Sequence, residues 1–255
     1  MSRGFKFIAG ALLGLLGAMQ VYDRVTAPDL VRWDGIDVCS RGSGDTAVLV
    51  LHGYASSARD GVIIADELAR AFPARYLVLE GPIPAVYGQR AWYEWDLRPD
   101  GTLVVIESQR AETRRAILAV MARARAEGAR RVVVAGVSEG ARMAMDVALA
   151  AEPRADAVVF LAGSGMESWR YERAEGLPIF MAHGRADPIL PFDGAEEVRD
   201  FLRSHGARVT WFPYEGGHFV DDALAPAGAF LTALGREERR DLGGPGDPMP
   251  PSGAW

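Results

Sequence analysis

Ser138, Asp187 and His218 bring a hydroxyl, a carboxylate and an imidazole to one chain, in an order that suits acyl transfer. A serine hydroxyl is a weak nucleophile until a neighbouring imidazole can take its proton. A carboxylate then holds that imidazole in the right tautomer and stabilises the imidazolium as it forms. Ser138 stands in Gly136-Val137-Ser138-Glu139-Gly140, the G-x-S-x-G pattern of a sharp strand-to-helix turn. The turn needs glycines because Cβ atoms beside the nucleophile would strike adjacent strands.

The chain has four histidines, and their surroundings separate them. His218 sits in a glycine-rich loop, Gly216-Gly217-His218-Phe219, after the last expected strand, where an imidazole can reach across to the serine. His52 precedes Gly53, His183 ends a strand in a structural setting, and His205 lies late in a helix beside Arg203. Asp187 follows a strand end and precedes Pro188, which cannot extend a sheet and helps fix the loop. Asp193 is the rival acid, but it stands three residues before Glu196 at a helix start, the spacing of a cap. A tetrahedral oxyanion needs backbone N–H donors. Two are available by position: the amide of Glu139 and that of Tyr54, just past Leu51-His52-Gly53. The Glu139 side chain points to solvent or bonds a neighbouring loop. Trp92, Tyr93 and Trp95 are expected to flank the mouth of the site, and Met166 and Trp169 to border the pocket.

These residues need a scaffold that gathers strand ends. Residues 47–51 are an almost continuous apolar run, as expected of a strand covered on both faces. Ser57 and Asp60 sit at capping-box spacing before a helix reaching Phe72. Strands follow at 76–79, 132–135, 157–161, 179–183 and 209–214, with helices at 106–127, 141–151, 195–205 and 222–234. Residues 81–101 read as a loop. This alternation predicts an α/β domain with a mostly parallel central sheet and helices on both faces. Functional groups gather at the carboxyl ends of such strands, where His52, Ser138, Asp187 and His218 all fall.

Length, composition and ends set the limits. The 255 residues carry 49% hydrophobic and 24% charged side chains, suited to one large core. A net charge of −6 without a long basic run argues against nucleic-acid binding. Cys39 is the single cysteine, so no internal disulfide forms, and no Cys/His cluster has zinc spacing. Arg3 and Lys6 precede an uncharged stretch from Phe7 to Tyr22. Residues 1–28 therefore read as a signal peptide or short membrane anchor, and the protein as exported or membrane-anchored. As a helix that stretch spans only about 24 Å, short of the ~30 Å hydrocarbon core. Residues 29–236 form the catalytic domain. From 237 to 255 the chain is charged, then rich in Gly and Pro, and is expected to be disordered.

Leu-His-Gly-Tyr at 51–54, Gly-Val-Ser-Glu-Gly at 136–140, His-Gly-Arg-Ala-Asp-Pro at 183–188 and Gly-Gly-His at 216–218 together resemble one family. It is the carboxylesterase/phospholipase branch of the α/β-hydrolases, which contains the acyl-protein thioesterases. Gly88-Gln89-Arg90-Ala91-Trp92-Tyr93 is similar to that branch's G-x-x-x-W-[FY] loop beside the pocket. The resemblance covers about residues 45–235. It implies an α/β-hydrolase fold without a large cap domain, no metal or other cofactor, and a small acyl ester or thioester as substrate. The chain departs from the branch at Glu139, where glutamine is frequent, and in its apolar N-terminal segment. A small serine peptidase of the prolyl-oligopeptidase sort and a catalytically silent binding protein are the alternatives. No insertion is long enough for a lid domain, which predicts an open site favouring short or medium acyl chains.

Overall fold

The computed structural model describes residues 28–99, 103–150, 153–166 and 169–241. Alternating apolar residues decide the layering. In β3 (Thr46–Leu51), Leu49 and Leu51 enter one core while Val48 and Val50 enter the other. β9 (Arg131–Val137) divides in the same way, Val132 and Val134 against Val133 and Ala135. Both faces of these strands need a cover, so the strands lie centrally and run parallel.

The other strands are β1 (Val31–Trp33), β2 (Ile36–Arg41), β4 (Arg75–Glu80), β10 (Ala157–Leu161), β11 (Pro178–Gly184) and β12 (Arg208–Tyr214). The sheet order is β1-β2-β4-β3-β9-β10-β11-β12, parallel from β4 to β12 and antiparallel at the β1–β2 and β2–β4 pairings. The helices are α1 (Ala58–Ala71), α2 (Glu107–Ala126), α3 (Glu139–Ala148), α4 (Phe192–Ser204) and α5 (Asp221–Asp241). Apolar residues of α1 and α5 share one core with Val48, Val50 and Phe180, and those of α2, α3 and α4 share the other with Leu49, Val134 and Phe160. This is the expected α/β architecture, with helices on both faces and, among the described residues, no large cap.

Several local expectations differ from the structure. Residues 81–101 are not a plain loop: β5 (Ile83–Pro84) pairs with β6 (Arg90–Ala91), and β7 (Trp95–Leu97) pairs with β8 (Leu103–Val105). Strands of two or three residues leave no alternation to read. Ser57 is the N-cap of α1, yet its side chain makes no capping bond; Glu80 accepts from the Ala58 amide and Asp60 accepts from Ser56 Oγ instead. The last helix runs on to Asp241 rather than giving way to a disordered tail at 237. Nothing between Arg236 and Asp241 breaks a helix, and Gly243 and Gly244 come only later. The expectations for the rest of that tail and for residues 1–27 lie outside the described residues.

Candidate active site

Ser138 follows β9 and opens α3 with φ 56° and ψ −115°. A non-glycine residue with positive φ is strained and persists only where surroundings hold it. Here the surroundings are backbone. A Cβ at Gly136 would collide with the Gly140 carbonyl, and one at Gly140 would collide with the Leu51 and His52 carbonyls. The Ser138 amide donates to Leu161 O at 2.9 Å, and the Arg142 amide donates to Ser138 O at 3.2 Å. The hydroxyl is thereby lifted clear of the sheet.

The structure brings Asp187 and His218 to this serine. His218 Nε2 lies 3.0 Å from Ser138 Oγ, and His218 Nδ1 lies 2.7 Å from Asp187 Oδ2. The carboxylate only accepts, so Nδ1 carries the proton and Nε2 keeps a lone pair facing the hydroxyl. Asp187 Oδ1 accepts from the amides of Ile189 at 2.8 Å and Leu190 at 3.0 Å, a turn that Pro188 helps set. Burial alone would raise this carboxyl. Hydrogen bonds from His183 and His218, the charge of His218 and the Leu190 amide outweigh it and hold Asp187 well below the usual carboxylate range. The loops after β11 and β12 are packed backbone to backbone. The Arg185 amide donates to Tyr214 O at 2.8 Å, the Ala186 amide donates to Gly216 O at 3.1 Å, and a Cβ at Gly184 would overlap the Gly216 and Gly217 carbonyls.

On the other side of the serine, β3 delivers His52, Gly53 and Tyr54. His52 is fully buried; its Nδ1 lies 2.7 Å from Gly53 O, and its Nε2 accepts the Gly81 amide at 3.0 Å. Burial lowers its pKa to about 4, so the ring is neutral and fixes the loop by donating from Nδ1 and accepting at Nε2. A Cβ at Gly53 would sit 3.6 Å from Ser138 Cβ, so this loop packs directly against the nucleophile. The Tyr54 amide follows it, and the Glu139 amide belongs to the first turn of α3, whose N–H groups have no partner within the helix.

Glu139 takes the second of its two expected arrangements. Its side chain is buried and bonds the neighbouring loop: Oε2 accepts the Trp92 amide at 2.9 Å and Oε1 accepts Trp95 Nε1–H at 3.1 Å. Burial pushes its pKa up to about 7, against the pull of those two donors and of Arg142. The folded protein thus holds a proton there that the unfolded chain releases above about pH 4.3. Stability from this group is present below that value and declines as pH rises to 7, by on the order of 3 kcal/mol. Denaturant titration of the parent and of Glu139→Gln across pH 5 to 8 checks this. The variant is expected to lose the downward slope.

The aromatic residues expected at the pocket mouth are placed otherwise. Trp92 and Tyr93 are both 0% exposed. The β5–β6 hairpin turns them inward, where Trp92 Nε1 donates to His52 O at 2.7 Å and Thr113 Oγ1 donates to Trp92 O at 2.8 Å. Met166 and Trp169 are core residues after β10, Trp169 meeting Phe160 edge-on at 6.1 Å. Trp95 is half-buried beneath the Arg142 guanidinium, 4.7 Å from its ring. Exposed aromatic surface comes instead from Tyr54, 47% exposed, and Phe219, 60% exposed, each beside a site residue. Their position next to Gly53 and His218 was the available signal. His183, expected to have a structural setting, touches the Asp187 carboxylate at 3.2 Å. Among the described residues, no group of three His, Cys, Asp or Glu side chains gathers to hold a metal.

The sequence profile of the phospholipase/carboxylesterase family matches residues 37–232. Acyl-protein thioesterase 1 of Eremothecium gossypii is 35% identical over 117 residues, covering 40% of this chain and 49% of that protein, so the chain spans about half of this relative. Acyl-protein thioesterase 1 of Yarrowia lipolytica is 22% identical over 203 residues, covering 72% of this chain and 88% of that protein. Among solved structures, a carboxylesterase from Mesorhizobium loti superposes with a TM-score of 0.67 at 19% identity, over 85% of this chain and 99% of that one; the likeness is one of fold.

These matches correct one expectation. The exported or membrane-anchored location does not stand, because the relatives of this chain are acyl-protein thioesterases. Nor do they support membrane association through the N-terminal segment. Among the described residues no helix is long and apolar enough to cross a membrane. The 20-residue α2 is long enough, but Arg110, Arg114, Arg115 and Arg123 interrupt it. The basic and apolar start that suggested export lies outside the described residues.

Proposed function

Because the chain belongs to the phospholipase/carboxylesterase family, we propose that it is a serine hydrolase cleaving carboxylic esters or thioesters through an acyl-enzyme on Ser138. One observation carries the reading: the continuous hydrogen-bond path from Asp187 through His218 to Ser138, with steps of 2.7 and 3.0 Å. Ser138 Oγ attacks the acyl carbonyl while its proton passes to His218 Nε2. The oxyanion that forms is met by the amides of Glu139 and Tyr54. The tetrahedral intermediate collapses, the bond to the alcohol or thiol breaks, and His218 returns the proton to the leaving group. Water then enters, gives a proton to His218 and attacks the acyl carbon; the bond to Ser138 Oγ breaks as His218 returns that proton to it, releasing the acid and regenerating the serine. Asp187 remains ionised throughout and orients the imidazole.

Tyr54 and Phe219 supply apolar surface for an acyl chain or aromatic alcohol. With no cap over the site among the described residues, a long acyl chain would leave most of its length in water. A p-nitrophenyl ester series is expected to peak at short or medium acyl chains; a maximum at long chains would contradict the open site. Parallel assays with an acyl ester, an acyl thioester and a dipeptidyl amide test the reaction class. Hydrolysis of ester or thioester well above amide is the expected outcome, and preference for the amide would favour a peptidase instead. Absence of both turnover and fluorophosphonate labelling would favour a binding protein.

A further inference from the structure

We propose that His183 is a positioning residue for the reaction, a second imidazole that locks the carboxylate of Asp187 in place for His218. The proposal rests on the reading of Asp187 as the acid of the site. His183 is the penultimate residue of β11 and is buried. Its Nε2 lies 2.9 Å from Leu190 O and 3.2 Å from Asp187 Oδ2. A carbonyl oxygen only accepts, so Nε2 carries a proton; its hydrogen bond goes to Leu190 O, and Asp187 Oδ2 is a second, longer contact of the same N–H. Asp187 Oδ2 is also the atom that receives His218 Nδ1 at 2.7 Å, while Oδ1 is held by the Ile189 and Leu190 amides. Three hydrogen bonds and the His183 contact therefore converge on one carboxylate, two N–H groups on each oxygen. Rotation of the carboxylate would break several bonds together.

The other nitrogen of His183 sharpens the argument. Nδ1 is buried and has no partner. An unpaired buried nitrogen is unfavourable, and an aliphatic side chain at this strand position would avoid it. The imidazole must therefore contribute through Nε2, and what Nε2 touches is the acid together with the Leu190 carbonyl of the acid's own loop. When His218 accepts the serine proton it draws harder on Oδ2. A second N–H on that oxygen limits its basicity, so the proton stays on His218 rather than passing to the carboxylate.

The test compares His183→Leu, which keeps bulk and removes the donor, with His183→Gln, whose amide nitrogen can reach the Nε2 position. In the full-length protein, the Leu variant is expected to lose about ten- to a hundredfold in kcat, the scale of one charge-assisted hydrogen bond, with KM within twofold. Without His183 the carboxylate holds the His218 proton more strongly, so the acid limb of kcat/KM should move to higher pH. The Gln variant should recover most of kcat and return the limb. A folded Leu variant with parental kcat and acid limb overturns the proposal, as does equal damage in both variants. Should the Leu variant fail to fold, 15N spectra of the parent decide: a protected proton on His183 Nε2 supports the role, and a proton on Nδ1 overturns it. Ser138→Ala, run alongside, separates the two readings. Undiminished turnover in that control defeats the proposed reaction; its loss, with an indifferent His183, defeats only this inference.

Discussion

Replacing Ser138 with alanine is expected to lower kcat for an acyl ester by on the order of a millionfold while leaving the fold intact. Alanine keeps the Cβ, so the backbone strain at φ 56° is the same in both proteins. What disappears is the hydroxyl, which His218 Nε2 meets at 3.0 Å. That bond contributes about 1 kcal/mol to stability, so the melting temperature should move by only about 2–4 °C. The two amides proposed to meet the oxyanion remain, and on that reading the residual rate reports oxyanion stabilisation and substrate binding. Stopped assays with a p-nitrophenyl ester, paired with thermal melts, check both halves. Turnover within tenfold of the parent would take Ser138 out of the reaction.

Asp187→Asn is expected to cost about ten-thousandfold in kcat, and here it should also lower stability. Three of the four N–H groups around this carboxylate are held by fixed backbone or a buried ring: the Ile189 and Leu190 amides and His183 Nε2. An asparagine can offer its carbonyl oxygen to the amides only by turning its NH2 toward both imidazoles. His218 must then accept at Nδ1 and carry its proton on Nε2, the tautomer that cannot take a proton from serine. One buried donor left facing another costs about 1–3 kcal/mol. The pH dependence has a definite sign. Because the folded carboxyl is depressed, its stabilisation is present above about pH 4 and is lost as pH falls toward the folded value. The stability gap between parent and variant should therefore narrow on acidification from pH 7 to 3, measured by denaturant titration. A gap independent of pH would mean that the carboxylate charge does not stabilise the fold.

The elements carrying long apolar runs were legible in the sequence. The expected strand at 47–51 is Thr46–Leu51, and the expected helix at 106–127 is Glu107–Ala126. A buried parallel strand writes its whole length in Val, Leu and Ala, and a helix of that length repeats its pattern. β1 and β2 were not legible: β1 is an edge strand of three residues, and in β2 the alternation of Ile36 and Val38 around Asp37 is cut short by Ser40 and Arg41. The three polar groups drawn together at the site were legible because each follows a strand end and has glycine or proline within two residues. The aromatic residues misled for a physical reason. Trp92 and Tyr93 are large enough either to line a pocket or to fill a core, and composition does not choose. Their burial depends on a hairpin of two-residue strands and on Glu139, whose carboxylate accepts the Trp92 amide. Such contacts between distant segments leave no periodic trace.

The interlock between the loops after β11 and β12 divides the three side chains unequally. Asp187 and His218 ride on one outboard unit, stapled by the Arg185 and Ala186 amides and by the close approach at Gly184. Ser138 is rooted in β9, with β10 between it and the β11–β12 rim of the sheet. If the rim frays, the acid and imidazole travel as a pair, and the span that opens is the one to the hydroxyl. A partly loosened molecule would then keep an oriented imidazole beside its carboxylate yet have no serine within reach, and would regain its chemistry simply by closing one gap.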